Sequence, residues 1–348
     1  MPPQPRERSS AAMWRRWIAA LLLAVARPAD GFRPTGARTT THLRAAETAE
    51  TAEADAPPKL TPLPSGINTY EVSAGVRSRP LEALQPVALR AVEAARAAGV
   101  RVGEVEFPPL LGEKTQFDDV DNVQILDANR DWAMRCLQPL AGDLKAALWL
   151  AFPDRKELEL ARAEWPGAAY SAATLTTLED AADCLSGGSD QAWGAAFARK
   201  AEALVGSSQL GAKPDTASAP PPAVVFAVQP GDGGPLEDWL NLERCQADGS
   251  LLVSLNGAFD KLKGGAYPRL LFPKLADAVD RFVLDAETLV YLKPIGDKGK
   301  AGWLWRVYPE PWQLVAQGRT SDATVATYDA RPAYKDAIAA LLAAPAPP

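Results

Sequence analysis

Cationic and amide side chains gather at one place in this 348-residue chain, the stretch LNGAFDKLKGGAYPR from Leu255 to Arg269. Asn256 ends an apolar run that reads as a strand, Lys261 and Lys263 precede Gly264 and Gly265, and Arg269 reads as the start of a helix. Backbone amides at a helix N-terminus, joined by two or three cations, cradle a phosphate or a carboxylate. Asn256, Lys261, Lys263 and Arg269 therefore form the candidate anion site. The competing reading is a solvated basic loop on an acidic protein.

Carboxylates supply the second candidate. Asp154 follows an apolar strand at the position where open α/β sheets place ligand-binding residues. With Glu157 it offers a pair for metal binding or acid–base chemistry. The same spacing spells a capping box, which satisfies the first free amides of a helix and accounts for both residues without any ligand. QPGDGGP, Gln229 to Pro235, has glycines that would let amides approach a phosphate. It lacks the spacing of a dinucleotide fingerprint or a P-loop, Asp232 would oppose an anion, and a tight loop is the better reading. In GWLWRVYPEPW, Trp303, Trp305 and Val307 alternate with Leu304, Arg306 and Tyr308, which puts both indoles on one sheet face. Pro309 and Pro311 end that strand, and Trp312 starts the next. Three rings from one meander read as core rather than as a ligand cage.

The elements that must position these residues follow from periodicity. A helix opens at Pro80 or Pro86, with Ala88, Ala91, Val92, Ala95 and Ala98 on one face, and Gly99 ends it. VRVGEVEF (100–107) is a strand, and a helical pattern through Val123, Leu126, Ala133, Leu137 and Leu140 leads to the wholly apolar strand AALWLAF (146–152). A helix from Asp154 to Trp165 and a weaker helical stretch at 191–204 precede a loop at 205–222 rich in Gly, Ser and Pro. AVVFAV (223–228) and SLLVSL (250–255) flank a helix at 236–245, an arrangement that demands parallel neighbours. After a helix-compatible stretch at 268–282, the strands at 288–294 and 303–308 are joined by IGDKGKAG, WQLVAQG returns as a further strand, and a helix at 334–344 closes the chain. Connections this short force antiparallel pairing. The expected fold is α/β, a largely parallel Rossmann-like sheet with helices on both faces and an antiparallel C-terminal meander, in one domain over residues 78–344.

The N-terminus is read separately. Arg15 and Arg16 precede WIAALLLAVA (17–26), too short to span a bilayer and proportioned as a signal-peptide core, with small Ala29 and Gly31 preparing cleavage before Phe32. Residues 32–46 are basic, rich in Thr and poor in acids, as in a transit peptide. Signal-like 1–31 followed by transit-like 32–46 resembles the bipartite presequence of algae with complex plastids, the alternative being an ordinary secreted protein. Residues 47–77 have the composition of a disordered linker.

Composition excludes several chemistries. The chain has 37 basic and 43 acidic residues; removing the eight arginines and two acids of residues 1–46 leaves 29 and 41, a formal net charge of −12. Such a body repels phosphate backbones, so nucleic acid is not an expected partner. The only histidine, His42, lies in the presequence, which removes Ser-His-Asp, Cys-His and imidazole–zinc sites from the mature part. Cys136, Cys184 and Cys245 are three, widely spaced and without a CxxC, so no metal site or disulfide framework is expected.

The order FPD after one strand, LN after a later one, YPR, VYLKP and then GWLWRVYPEPWQL resembles the plastid and cyanobacterial domain-of-unknown-function (DUF) family nineteen ninety-five over about Ser78 to Pro332. That family includes chloroplast proteins named for low photosystem II accumulation. The resemblance implies a plastid protein of the stroma or the stromal face of the thylakoid, an assembly or maintenance factor with photosystem II subunits or other thylakoid proteins as partners and peripheral membrane association at most. It carries over no catalytic residue and no cofactor. A non-catalytic module is thus the expectation, with a stromal enzyme or sensor for a phosphate-bearing metabolite as the alternative.

Overall fold

A computed structural model describes residues 60–64, 67, 80–108, 122–165, 167, 172–186, 220–231, 236–345 and 347. Residues 1–46, expected to be presequence, the stretch 191–204, expected to be helical, most of the expected loop at 205–222 and Asp232 to Pro235 lie outside them. The described elements belong to one compact unit, Pro58–Pro348.

Among the described residues nine strands form one sheet: β1 Val102–Glu106, β2 Leu148–Phe152, β3 Thr174–Thr177, β4 Val224–Val228, β5 Leu251–Leu255, β6 Glu287–Asp297, β7 Lys300–Val307, β8 Trp312–Ala316 and β9 Ala323–Tyr328. Their order is β3-β2-β4-β5-β1-β6-β7-β8-β9. Pairing is parallel from β3 to β6 and antiparallel from β6 to β9. This is the expected α/β sheet with its meander. Residues of β2, β4 and β5 are buried throughout, which is why these strands read as continuous apolar runs.

Helices cover both faces. On one lie α1 (Gln85–Ala97, led in by a 3₁₀ turn at Pro80–Leu84), α2 (Asn122–Leu144) and α3 (Arg155–Glu164), packed on Val105, Leu150, Phe226, Val253 and Leu292. On the other lie α4 (Leu178–Leu185), α5 (Glu237–Arg244), α6 (Phe259–Lys263) and α7 (Pro273–Ala278), packed on Val102, Trp149, Val225 and Leu252. The last helix, α8 (Tyr334–Ala343), seats Ala337 and Leu341 on Ile295, Leu314 and Ala316 of the meander.

Several boundaries differ from the sequence reading. The β6–β7 hairpin runs to Asp297 and resumes at Lys300, so IGDKGKAG is mostly strand. Only Lys298 and Gly299 turn, both with positive φ (49° and 79°), the geometry a two-residue hairpin loop demands. α7 starts at Pro273, and Arg269 lies in the turn before it. Pro268 and Pro273 bracket that turn, and the residue before a proline resists the helical region. The sheet also has two strands that sequence reading does not assign, the four-residue edge strand β3 and the half-buried edge strand β9.

Trp303 and Trp305 are core residues on the α1–α2 face, as their alternation requires, and Trp312 packs on the opposite face with Tyr291 and Leu304. The YPEPW segment also anchors the chain upstream. Glu310 accepts from Thr61 N and Thr61 Oγ1, each at 2.6 Å, while Trp305 Nε1 and Gln313 Nε2 both donate to Thr61 O at 3.0 Å. Ile67 is buried in the same core. Part of the 47–77 stretch is therefore a strap fixed to the meander rather than linker throughout. Composition sees only local apolar content and misses pairing across some 250 residues.

Candidate functional site

Of the predicted anion site, Asn256, Lys263 and Arg269 are engaged with other groups of the fold. Asn256 adopts a left-handed backbone (φ 49°) just past β5 and is buried. Its Oδ1 accepts from Phe107 N at 2.8 Å, and its Nδ2 donates to Asn129 Oδ1 at 2.7 Å. Asn129 Nδ2 donates in turn to Gln229 Oε1 at 2.6 Å. These amides interlock α2 with the carboxyl ends of β1, β4 and β5, each buried group finding its partner in another. Lys263 Nζ donates to Glu104 Oε2 at 3.3 Å. Arg269 bonds to Asp277 and Asp280, eight and eleven residues further along. Lys261 stands exposed on α6.

Asp154 and Glu157 separate in role. Asp154 is the N-cap of α3, its Oδ1 accepting from Glu157 N at 2.9 Å. Glu157 is buried and accepts from Arg130 Nη1, a guanidinium that also donates to Glu164 Oε2 at 3.2 Å and Asp127 Oδ1 at 2.7 Å. Burial pushes the Glu157 carboxyl up against the opposing pull of Arg130. The cap thus explains Asp154, but Glu157 belongs to an ion-pair cluster joining α2 to α3.

The richest polar cluster is one that the sequence does not single out. Across the second face of the sheet runs a strip of polar side chains: Ser254, Glu104, Glu106, Tyr291 and Lys293 from β5, β1 and β6. Asp260 of α6 sits above it. Its carboxylate accepts from Arg331 Nη1 at 2.5 Å, Arg331 Nη2 at 2.8 Å, the Tyr291 hydroxyl at 2.6 Å and Lys293 Nζ at 3.0 Å. Arg331 also lies 4.4 Å from the Tyr291 ring centre and 5.5 Å from that of Trp312. Burial alone would raise the Asp260 carboxyl, but Arg331, Tyr291 and Lys293 hold it well below the usual carboxylate range. Burial and the Asp260 charge push the Tyr291 hydroxyl up.

Three residues along α6, Lys263 reaches Glu104. Glu104 is wholly buried, and burial raises its carboxyl despite Lys263. Its Oε1 and the Oγ of Ser254, its cross-strand neighbour on β5, have no hydrogen-bond partner among the described residues. α6 therefore pins two parts of the sheet, through Lys263 to the parallel half and through Asp260 to the meander and the segment before α8. No spacing announces this set, because its members come from four elements and the segment before α8, spread between residues 104 and 331. Glu104 and Glu106 are the visible signal, acids at alternate positions of the strand β1.

Fold and polar strip together define an α/β protein with a mixed sheet whose central charges are largely paired with one another. The chain belongs to the domain of unknown function family DUF1995, whose model matches residues 80–338. No curated protein and no solved structure matches the chain.

Proposed function

We propose that this protein is a non-catalytic binding module of the plastid, an assembly or maintenance factor that docks on thylakoid proteins such as photosystem II intermediates. The observation that carries this reading is the turn between α6 and α7. Leu270 and Leu271 are 91% and 65% exposed at its tip, although the turn itself is firmly built. Leu271 N and Phe272 N donate to Pro268 O at 2.9 and 3.0 Å, and Tyr267 packs edge-on against Trp239 and Phe272, each at 5.3 Å. Burying two such side chains in a partner is worth about 1.5–3 kcal/mol each, which favours their use as contacts.

The engagement of the candidate chemical groups points the same way. A phosphate-bearing metabolite would need Asn256, Lys263 and Arg269 to abandon their present partners, and that reading is the weaker one for this reason. Among the described residues no helix is long and apolar enough to cross a membrane.

The test is native-gel fractionation of purified plastids with detection of the protein alongside photosystem II subunits. Comigration with partly assembled complexes that is lost in the Leu270→Ser/Leu271→Ser variant is expected. Migration of the wild type only as a small free species would refute the docking reading.

A further inference from the structure

The carboxyl-terminal edge of the parallel half gathers acids for which the described residues supply no cation. Asp154 caps α3 directly after β2, Glu179 is the second residue of α4 directly after β3, and Glu237 and Asp238 open α5, which follows β4. Because β3, β2 and β4 are consecutive parallel strands, these helix starts stand side by side where open α/β sheets take ligands. Acids in a first helical turn are ordinary, favoured by the helix dipole, and the exposed Asp154, Glu179 and Glu237 need no other reason.

Asp238 does need one. It is 5% exposed; Gly231 N donates to its carboxylate, yet Oδ2 is buried with no hydrogen-bond partner among the described residues. Leaving a buried carboxylate oxygen so costs free energy that a pairing cation would recover. The start of α5 is also fixed. Trp239 Nε1 donates to Gly257 O at 2.8 Å, and the indole lies against Gly231 (φ 79°), where a Cβ would stand 2.5 Å from it. Burial, with the Asp154, Glu237 and Glu179 charges, pushes the Asp238 carboxyl up to about 6. The nearby Arg155 is turned to Asp180, at 3.4 Å.

We propose that this corner binds an alkylammonium or guanidinium group, Asp238 Oδ2 accepting its hydrogen bond while the exposed carboxylates of Asp154, Glu179 and Glu237 draw it in. An anion is opposed by four negative charges. A metal ion is not favoured either, since among the described residues no group of three or more His, Cys, Asp or Glu is placed to hold one. An organic cation asks only for a strong desolvated acceptor in a negative field, which is what the corner offers. Its source is a free polyamine or a Lys or Arg side chain of a protein, and the inference stands independently of the leucine turn.

Isothermal titration of the full chain with spermidine, methylguanidine and a blocked Gly-Lys-Gly peptide, at constant ionic strength, tests this. At least one probe is expected to bind saturably at one site, and Asp238→Asn, which keeps an acceptor for Gly231 N, to weaken it by about tenfold or more. Glu179→Gln should weaken it by about two- to threefold. Tighter binding of spermidine would point to a free polyamine, and tighter binding of the peptide to a protein side chain. The proposal is overturned if no probe saturates, if Asp238→Asn with an unchanged fold binds as well as the wild type, or if Mg²⁺ displaces the probe as effectively as a second organic cation.

Discussion

Two carboxylates on neighbouring helices of the same sheet face have opposite surroundings. Asp260 on α6 receives four hydrogen bonds from Arg331, Tyr291 and Lys293, and they hold its carboxyl down against burial. Asp238 on α5 receives one from a backbone amide, has acids around it and is pushed up to about 6 by burial and those neighbours. Both groups are substantially withdrawn from water, so burial alone does not distinguish them. What separates them is whether the fold supplies the counter-charge. Where it does, the carboxylate is a structural pin; where it does not, the site is left for something else to complete.

Removing the pin should have the largest effect. Asp260→Ala leaves Arg331, Lys293 and the Tyr291 hydroxyl without their shared acceptor, and a loss of about 3 kcal/mol in a denaturant melt is expected, since breaking a partly buried charge cluster from one side strands the remaining partners. A loss within about 0.5 kcal/mol would mean that the cluster is a solvated surface network and that the contrast with Asp238 is false.

The opposite sign is expected at Asp238. Its folded carboxyl titrates higher than the unfolded one, so the wild type loses stability as pH rises from about 4 to about 6. Asp238→Asn has no such loss, and above pH 6 the variant should melt as the more stable protein by about 2 kcal/mol, with the difference vanishing below pH 4. For Asp260, whose folded carboxyl is depressed, the stabilisation is full above the unfolded value near 4 and fades as pH falls below it. Melts of both variants from pH 3 to 8 therefore give divergent curves. Parallel curves would break the comparison.

Smaller effects sharpen it. Thr61→Val removes the hydroxyl that Glu310 accepts from and should cost about 1 kcal/mol, read as a lowered melting midpoint. Leu270→Ser with Leu271→Ser should leave stability within about 0.5 kcal/mol, because both side chains already face water, while abolishing partner binding. A marked drop in stability would assign the turn to the fold rather than to docking.

The sheet was legible because its central strands are buried on both faces and write that fact as unbroken apolar runs such as LWLAF and VVFAV. β3 was not, since TLTT is four residues of edge strand, too short for any period to emerge. Asp154 was legible as a cap, a relation within four residues. Glu157 was not, because its partner Arg130 lies a strand and a helix away. The same limit governs the Asp260 and Asp238 sites. The cations that complete the first are as far off as Arg331, and the lack of cations at the second appears only once α3, α4 and α5 are set side by side. Lys263 and Arg269, conspicuous beside glycines, turn out to be spent on Glu104 and on Asp277 and Asp280.

The most direct test of the contrast is carbon-detected NMR titration of the side-chain carboxyls, with Asp238→Asn and Asp260→Asn used for assignment. Asp238 titrating near 6, with Asp260 still ionised well below the ordinary aspartate range, is the predicted result. Asp238 titrating at the ordinary aspartate value would contradict it, showing that the corner of α3, α4 and α5 is solvated.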